Sequence, residues 1–224
     1  MRALEAHNVS FQYPRGPLLL KDVSMHVASG ECVALGGPSG CGKSTLCHIL
    51  SGIIPRSIQG KVEGRVLLFG EEIAGLSLAR VVQLVGIVFQ NPEAQLFSPT
   101  VEDEIAFGPE NLCLPRDEIE RRIADALRAV HMDSYRLAET KALSHGQKQL
   151  IALGAMLALQ PRALIFDEVF AQLDERSTRL VRGVIRTQKE MGHAILMVDH
   201  NLENIEIADR VYQLEGGRAW EIQP

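Results

Sequence analysis

Val33-Ala34-Leu35-Gly36-Gly37-Pro38-Ser39-Gly40-Cys41-Gly42-Lys43-Ser44 is the stretch whose reading decides the fold. Glu31 to Leu35 is a short apolar run of the kind that forms a buried strand, and from Lys43 to Ile54 the apolar residues Leu46, Ile49, Leu50 and Ile53 recur at helical spacing. Between them, Gly37 to Ser44 fits G-x-x-x-x-G-K-[ST]. In that setting the glycines let backbone N–H groups converge on phosphate oxygens, and the helix N-terminus favours their negative charge. Lys43 is then expected to reach the β- and γ-phosphates and Ser44 to ligate Mg²⁺.

Towards the N-terminus, residues 3 to 13 and 22 to 28 carry partly alternating apolar patterns on either side of Pro14-Arg15-Gly16-Pro17, which predicts two antiparallel strands and a turn. Towards the C-terminus, Val62 to Phe69 and Val85 to Phe89 are expected as strands, the second leading into Gln90-Asn91-Pro92. From about Asn91 to Ala158 the pattern becomes helical. Asp117 and Glu120 predict a capping box there, with Ile119, Ile123, Leu127 and Val130 forming one apolar stripe. Pro161 ends this region. A buried strand over Ala163 to Phe166, a helix over Asp174 to Met191, a strand over Ala194 to Val198 and a hairpin turning at Gly216-Gly217 complete the chain.

Two further motifs bear on chemistry. Leu164-Ile165-Phe166-Asp167-Glu168 puts two carboxylates at the end of a buried strand, where open α/β sheets present ligand-binding groups. Beside a phosphate loop, Asp167 can hold a metal shell and Glu168 can polarise an attacking water. Ser144-His145-Gly146-Gln147 has the S-x-x-Q spacing of a capping box before a helix. Its spacing fits equally a plain helix start or a helix N-terminus that clamps a phosphate supplied by another subunit.

Composition narrows the classes. In 224 residues, 46% hydrophobic and 23% charged is an ordinary globular mixture, and a formal charge of −5 disfavours a broad nucleic-acid face. The four cysteines form no C-x-x-C pair, so neither a zinc site nor a disulfide framework is expected and a reducing compartment fits. No uninterrupted apolar run approaches the roughly 18 residues that span a bilayer, so the chain is expected only to dock at a membrane.

In their order along nearly the whole chain, these motifs resemble the nucleotide-binding subunits of ABC transporters. The resemblance implies an α/β P-loop NTPase cassette: a RecA-like, mainly parallel core with an antiparallel β subdomain, over 1–90 and 159–224, and an inserted helical subdomain over 91–158. It implies ATP and Mg²⁺ as ligands. Gly37, Pro38, Ser39, Gly40, Cys41, Gly42, Lys43, Ser44 and Thr45 would cradle the phosphates. Tyr13 resembles the aromatic residue that stacks on adenine, and Gln90 the glutamine that senses Mg²⁺ and couples to the membrane partner. Ser144, His145, Gly146 and Gln147 resemble the signature sequence, Asp167 and Glu168 the Walker B pair, Asp174 the loop crossing a dimer interface, and His200 the switch histidine. The family's usual residue at position 145 is glycine, so His145 brings an imidazole to the phosphate clamp.

The family implies a head-to-tail dimer, homodimer or heterodimer, in which each ATP lies between one phosphate loop and the other subunit's signature helix. The segment Gln90 to Asn111 resembles the ATPase subunits of energy-coupling-factor importers, which serve vitamin and transition-metal (cobalt or nickel) uptake. That implies a membrane T component, a substrate-binding S component and a position on the cytoplasmic face of the membrane. An ATPase of another ABC transporter type and a soluble ABC ATPase without a transporter are the other readings.

Overall fold

The computed structural model describes residues 1–199 and 206–222. Strands β1 (Arg2–Gln12) and β2 (Leu18–Ala28) form the expected antiparallel hairpin, and β3 (Cys32–Gly36) leads into the Gly-rich loop. Helix α1 (Lys43–Leu50) stops four residues before the expected end at Ile54. The reason is Gly52, left-handed at φ 74°, where an added Cβ would lie 2.5 Å from the Arg56 guanidinium. Arg56 in turn donates to the carbonyls of Gly52, Ile73 and Leu76, so the break is held from three sides. The short helix α2 (Ile53–Arg56) follows.

Next come β4 (Lys61–Leu68) and β5 (Glu71–Glu72), then α3 (Leu78–Leu84), which the periodicity did not predict although Ser77 caps it by accepting from the Arg80 N–H. After β6 (Val85–Val88) lie α4 (Val101–Asn111), α5 (Arg116–Ala129) and α6 (His145–Ala158). Strand β7 (Ala163–Asp167), α7 (Glu175–Glu190), β8 (Ala194–Val198), β9 (Arg210–Glu215) and β10 (Arg218–Ile222) finish the order. The predicted capping box at Asp117 and Glu120 is absent. Helix α5 begins two residues earlier, with Pro115 as its cap and the Ile119 N–H bonded to the Pro115 carbonyl, and Glu120 pairs instead with Arg136 at 2.6 Å. Proline's preset φ suits a helix start without any side-chain cap.

The strands form two sheets. One is antiparallel in the order β2-β1-β4-β5; the other runs β10-β9-β3-β8-β7-β6, parallel throughout except for β10. Strands β7 and β8 are buried along their whole length, as parallel strands covered on both faces must be. Their side chains divide with the period of two of a strand. Val33, Leu35, Ile165 and Leu196 join a core shared with α1 and the antiparallel sheet, while Leu164, Phe166, Ile195 and Met197 join a core shared with α4 to α7. Burying Phe166 completely stabilises the second core by about 2–3 kcal/mol. The predicted stripe lies there too, with Ile123, Leu127 and Val130 buried and Ile119 partly so.

Candidate nucleotide-binding site

The loop between β3 and α1 takes its shape from two glycines. Gly37 has φ 144°, and a Cβ there would come within 2.2 Å of the Leu214 carbonyl oxygen, so no side chain fits without moving β9. Gly42 caps α1 at φ 110°, against the side chains of Leu20 and Leu19. Pro38, Ser39 and Gly40 between them are exposed and Cys41 is half-buried, so this arc of backbone faces outward beside the start of an eight-residue helix.

Lys43 is almost wholly buried, and its ammonium donates to the Gly37 carbonyl at 2.8 Å and the Pro38 carbonyl at 3.1 Å. It also lies 4.0 Å from Glu168 Oε1. One residue on, the exposed Ser44 donates its hydroxyl to Asp167 Oδ1 at 3.1 Å. The strand register therefore brings together four groups from two stretches far apart in the sequence. Burial raises the Asp167 carboxyl above its ordinary value, and the Ser44 hydrogen bond opposes that shift. Two hard oxygen donors this close suit the octahedral shell of Mg²⁺.

Glu168 has a left-handed backbone at φ 53°, uncommon for a residue with a Cβ and costing roughly 1–3 kcal/mol. Its N–H bonds to the Val198 carbonyl at 3.0 Å, which continues the β7·β8 ladder one step past Asp167 and holds the turn. Tyr13, just after β1, is carried to the same place: its hydroxyl is 3.0 Å from Thr45 Oγ1, and its ring meets Phe11 edge-on at 4.6 Å between centroids. Gln90 is exposed, two residues beyond the Val88–Phe166 pair of the sheet, at the same strand ends as Asp167 and Glu168.

Ser144 and Gln147 form the predicted capping box, each side chain bonding the other's backbone N–H, at 3.3 and 2.9 Å. Gly146 packs on α7, where a Cβ would lie 2.3 Å from Ser177 Oγ. The imidazole Nε2 of His145 is buried with no hydrogen-bond partner among the described residues. Asp174 caps α7 by accepting from the Ser177 N–H at 2.7 Å, which holds its carboxyl below the ordinary range. His200 lies outside the described residues. Two residues went unnoticed in the motif reading: Lys148 bonds Glu93 at 2.6 Å, and Gln149 bonds the Phe89 carbonyl at 3.1 Å. A polar Gln149 directly before Leu150 and Ile151 was the available signal.

Residues 20–171 match the family model described as ABC transporter. The chain belongs to the ABC transporter family. A longer ABC transporter ATP-binding protein of Methanosarcina acetivorans is 44% identical, over 99% of this chain and 35% of the relative, so the chain spans about a third of that protein's length. The energy-coupling factor transporter ATP-binding protein EcfA of the same organism is 40% identical, over 96% of this chain and 77% of its own. Among solved structures, cbiO1 from Clostridium perfringens, part of the ABC transporter complex cbiONQ, superimposes with a TM-score of 0.85 at 31% identity, covering 98% of this chain and 87% of that one. The two-sheet cassette with its helical layer is thus the family's fold, as the sequence predicted. Among the described residues no helix is long and apolar enough to cross a membrane.

Proposed function

We propose that this chain is the ATP-hydrolysing subunit of an energy-coupling-factor importer for a vitamin or transition-metal ion, working as a dimer of cassettes on the cytoplasmic face of the membrane. The observation that carries the reading is the meeting of Lys43, Ser44, Asp167 and Glu168 at the mouth of the Gly37–Gly42 loop. Lys43, freed from the loop carbonyls, would contact the terminal phosphates, while the loop N–H groups bind their oxygens. Ser44 and Asp167 would hold Mg²⁺, which neutralises charge on the transferring phosphoryl group. Glu168 would take the proton of the attacking water, and its strained backbone keeps the carboxylate aimed at Lys43 and away from the strand. Tyr13 would stack on the base, after its hydroxyl leaves Thr45, and Gln90 and His200 would complete the hydrolytic set.

In this reading the catalytic core comprises 1–90 and 159–224, and 91–158 is the helical subdomain that docks on the T component, with a separate S component taking the cargo. A groove of about 280 Å³ between α3, α4 and α6 supports the docking. Phe97 and Phe107 stand on its wall 65% and 45% exposed, edge to face at 4.6 Å. Aromatic pairs left in water at a concave surface fit the anchor pockets of protein interfaces. The second half of each nucleotide site would be the partner cassette's Ser144–Gln147 helix start.

Replacing Glu168 by Gln tests the assignment. Mg·ATP should still bind and should draw two cassettes together, while phosphate release falls by about 10²–10⁴-fold. Turnover equal to the wild type's would remove Glu168 from the reaction.

A further inference from the structure

Beyond the last ladder residue of β6, the chain has to find new hydrogen-bond partners for its backbone. At Phe89, the residue immediately before Gln90, both backbone groups are taken by glutamine side chains: the N–H donates to Gln95 Oε1 at 3.2 Å, and the carbonyl accepts from Gln149 Nε2 at 3.1 Å. The carbonyl belongs to the peptide bond that leads into Gln90, so Gln149 holds the base of that side chain. One position earlier on α6, Lys148 pairs with Glu93 at 2.6 Å, and Glu93 sits in a turn that Asn91 caps by accepting its N–H at 3.0 Å. His145, Lys148 and Gln149 are spaced i, i+3, i+4 and so share one face of the helix, the face turned to this segment. His145 also adds to the field that lowers the Glu93 carboxyl, after the Lys148 hydrogen bond and charge.

The two grips differ in weight. Glu93 is 63% exposed, so its pair with Lys148 is a surface ion pair that salt screens. Gln149 is 1% exposed, and its Oε1 has no hydrogen-bond partner among the described residues. A leucine would fill the same space and remove the unpaired Oε1, but it would strip the Phe89 carbonyl of its donor, so the two effects on stability oppose each other. What glutamine adds is the donor to the Phe89 carbonyl.

We propose that Gln149, assisted by Lys148, is a positioning residue that makes the Gln90 segment and the start of α6 one mechanical unit. Resting on the reading above, in which that helix start meets the nucleotide of the partner cassette, the clamp joins the two nucleotide sites of a dimer. Movement of α6 on closing over the partner's phosphates drags the peptide bond at Gln90, and with it the glutamine that reads the chain's own site.

Two measurements on the full chain test this. Without nucleotide, amide hydrogen exchange over residues 89–96 should accelerate about five- to tenfold in Gln149→Leu, the loss expected for one buried hydrogen bond, while α6 itself exchanges as before. With Mg·ATP, kcat should fall about tenfold with KM within twofold and thermal stability retained, a split that a merely structural role would not produce. Should Gln149→Leu fail to fold, Lys148→Met on the partly exposed side chain is the second variant; it should shift exchange near Glu93 by about twofold, 1 M salt should mimic it, and Lys148→Arg should restore it. Unchanged exchange over 89–96 in the folded variants, or faster exchange with unaltered kcat, overturns the clamp. If the wild type itself releases no phosphate, the functional reading has failed instead, and the exchange measurement still decides whether the clamp exists.

Discussion

Gly146 offers a test of how tightly the start of α6 is fitted to the rest of the chain. It is the second residue of that helix, and a methyl there would lie 2.3 Å from Ser177 Oγ and 2.9 Å from Ser177 Cβ. The hydroxyl can rotate away. The Cβ cannot, because Ser177 sits in the first turn of α7 with its N–H bonded to the Asp174 cap at 2.7 Å. Forcing a methyl into a packed contact costs about 1–3 kcal/mol, whereas replacing glycine by alanine in a helix returns at most about 1 kcal/mol, and less in the first turn. Gly146→Ala should therefore lose about 1–2 kcal/mol net, or roughly 2–8 °C of Tm for a chain of this size. Ser177→Gly removes both obstructing atoms and should itself cost about 0.5 kcal/mol through helix propensity. In that background the methyl should cost nothing, giving a favourable coupling of about 1–2 kcal/mol in a double-mutant cycle measured by urea unfolding. The same penalty for Gly146→Ala with and without Ser177, or a gain in stability from the single change, would refute the contact.

Lys43→Ala removes charge-assisted donors at the phosphates and should weaken ATP affinity by about 10–100-fold in calorimetric titration; an unaltered Kd would separate Lys43 from the nucleotide. Asp167→Asn should abolish Mg²⁺-dependent turnover yet stabilise the fold. Burial raises that carboxyl, so the folded state holds its proton more tightly than the unfolded chain, and the ionised form is penalised increasingly as pH rises. The gain should be largest near pH 8 and shrink in acid; equal unfolding midpoints at every pH would contradict the assigned cause. Glu118 carries the opposite sign: hydrogen bonds from Arg121 and Arg122 pull its carboxyl down to about 2. The stability it lends is complete above its ordinary value of 4.5 and disappears as pH falls toward 2. Glu118→Gln should flatten the pH dependence of unfolding across that window, which denaturant titrations at pH 5 and 2.5 would reveal.

The phosphate loop was legible because its signal is local. A strand, a glycine turn and a helix in immediate succession leave little freedom in how Lys43 and Ser44 are presented, whereas β7 and β8 read as wholly apolar runs, and only the fold divides Ile165 and Leu196 from Phe166 and Met197. The capping box at Ser144 was read correctly for the same reason. The equivalent pattern at Asp117 misled, because Pro115 starts α5 on backbone geometry alone and Arg136, distant in sequence, takes Glu120. Likewise the apolar spacing to Ile54 continued past α1, while the chain left the helix at Gly52, where the guanidinium of Arg56 bonds carbonyls up to twenty residues away.

By itself, the amino-acid order determined most of the strands and helices, α3 excepted, and where the phosphate-binding loop lies, and that two carboxylates end a buried strand. These depend on backbone preference and periodicity within a dozen residues, which any window of sequence contains. Only the tertiary structure decided that Ser44 meets Asp167, that Tyr13 lies on Thr45, and that Gln149 reaches back to the peptide before Gln90. Each of these pairs is 32 to 123 positions apart in the chain, and they meet because sheet register and helix packing, set by burial of the two cores, bring their backbones side by side.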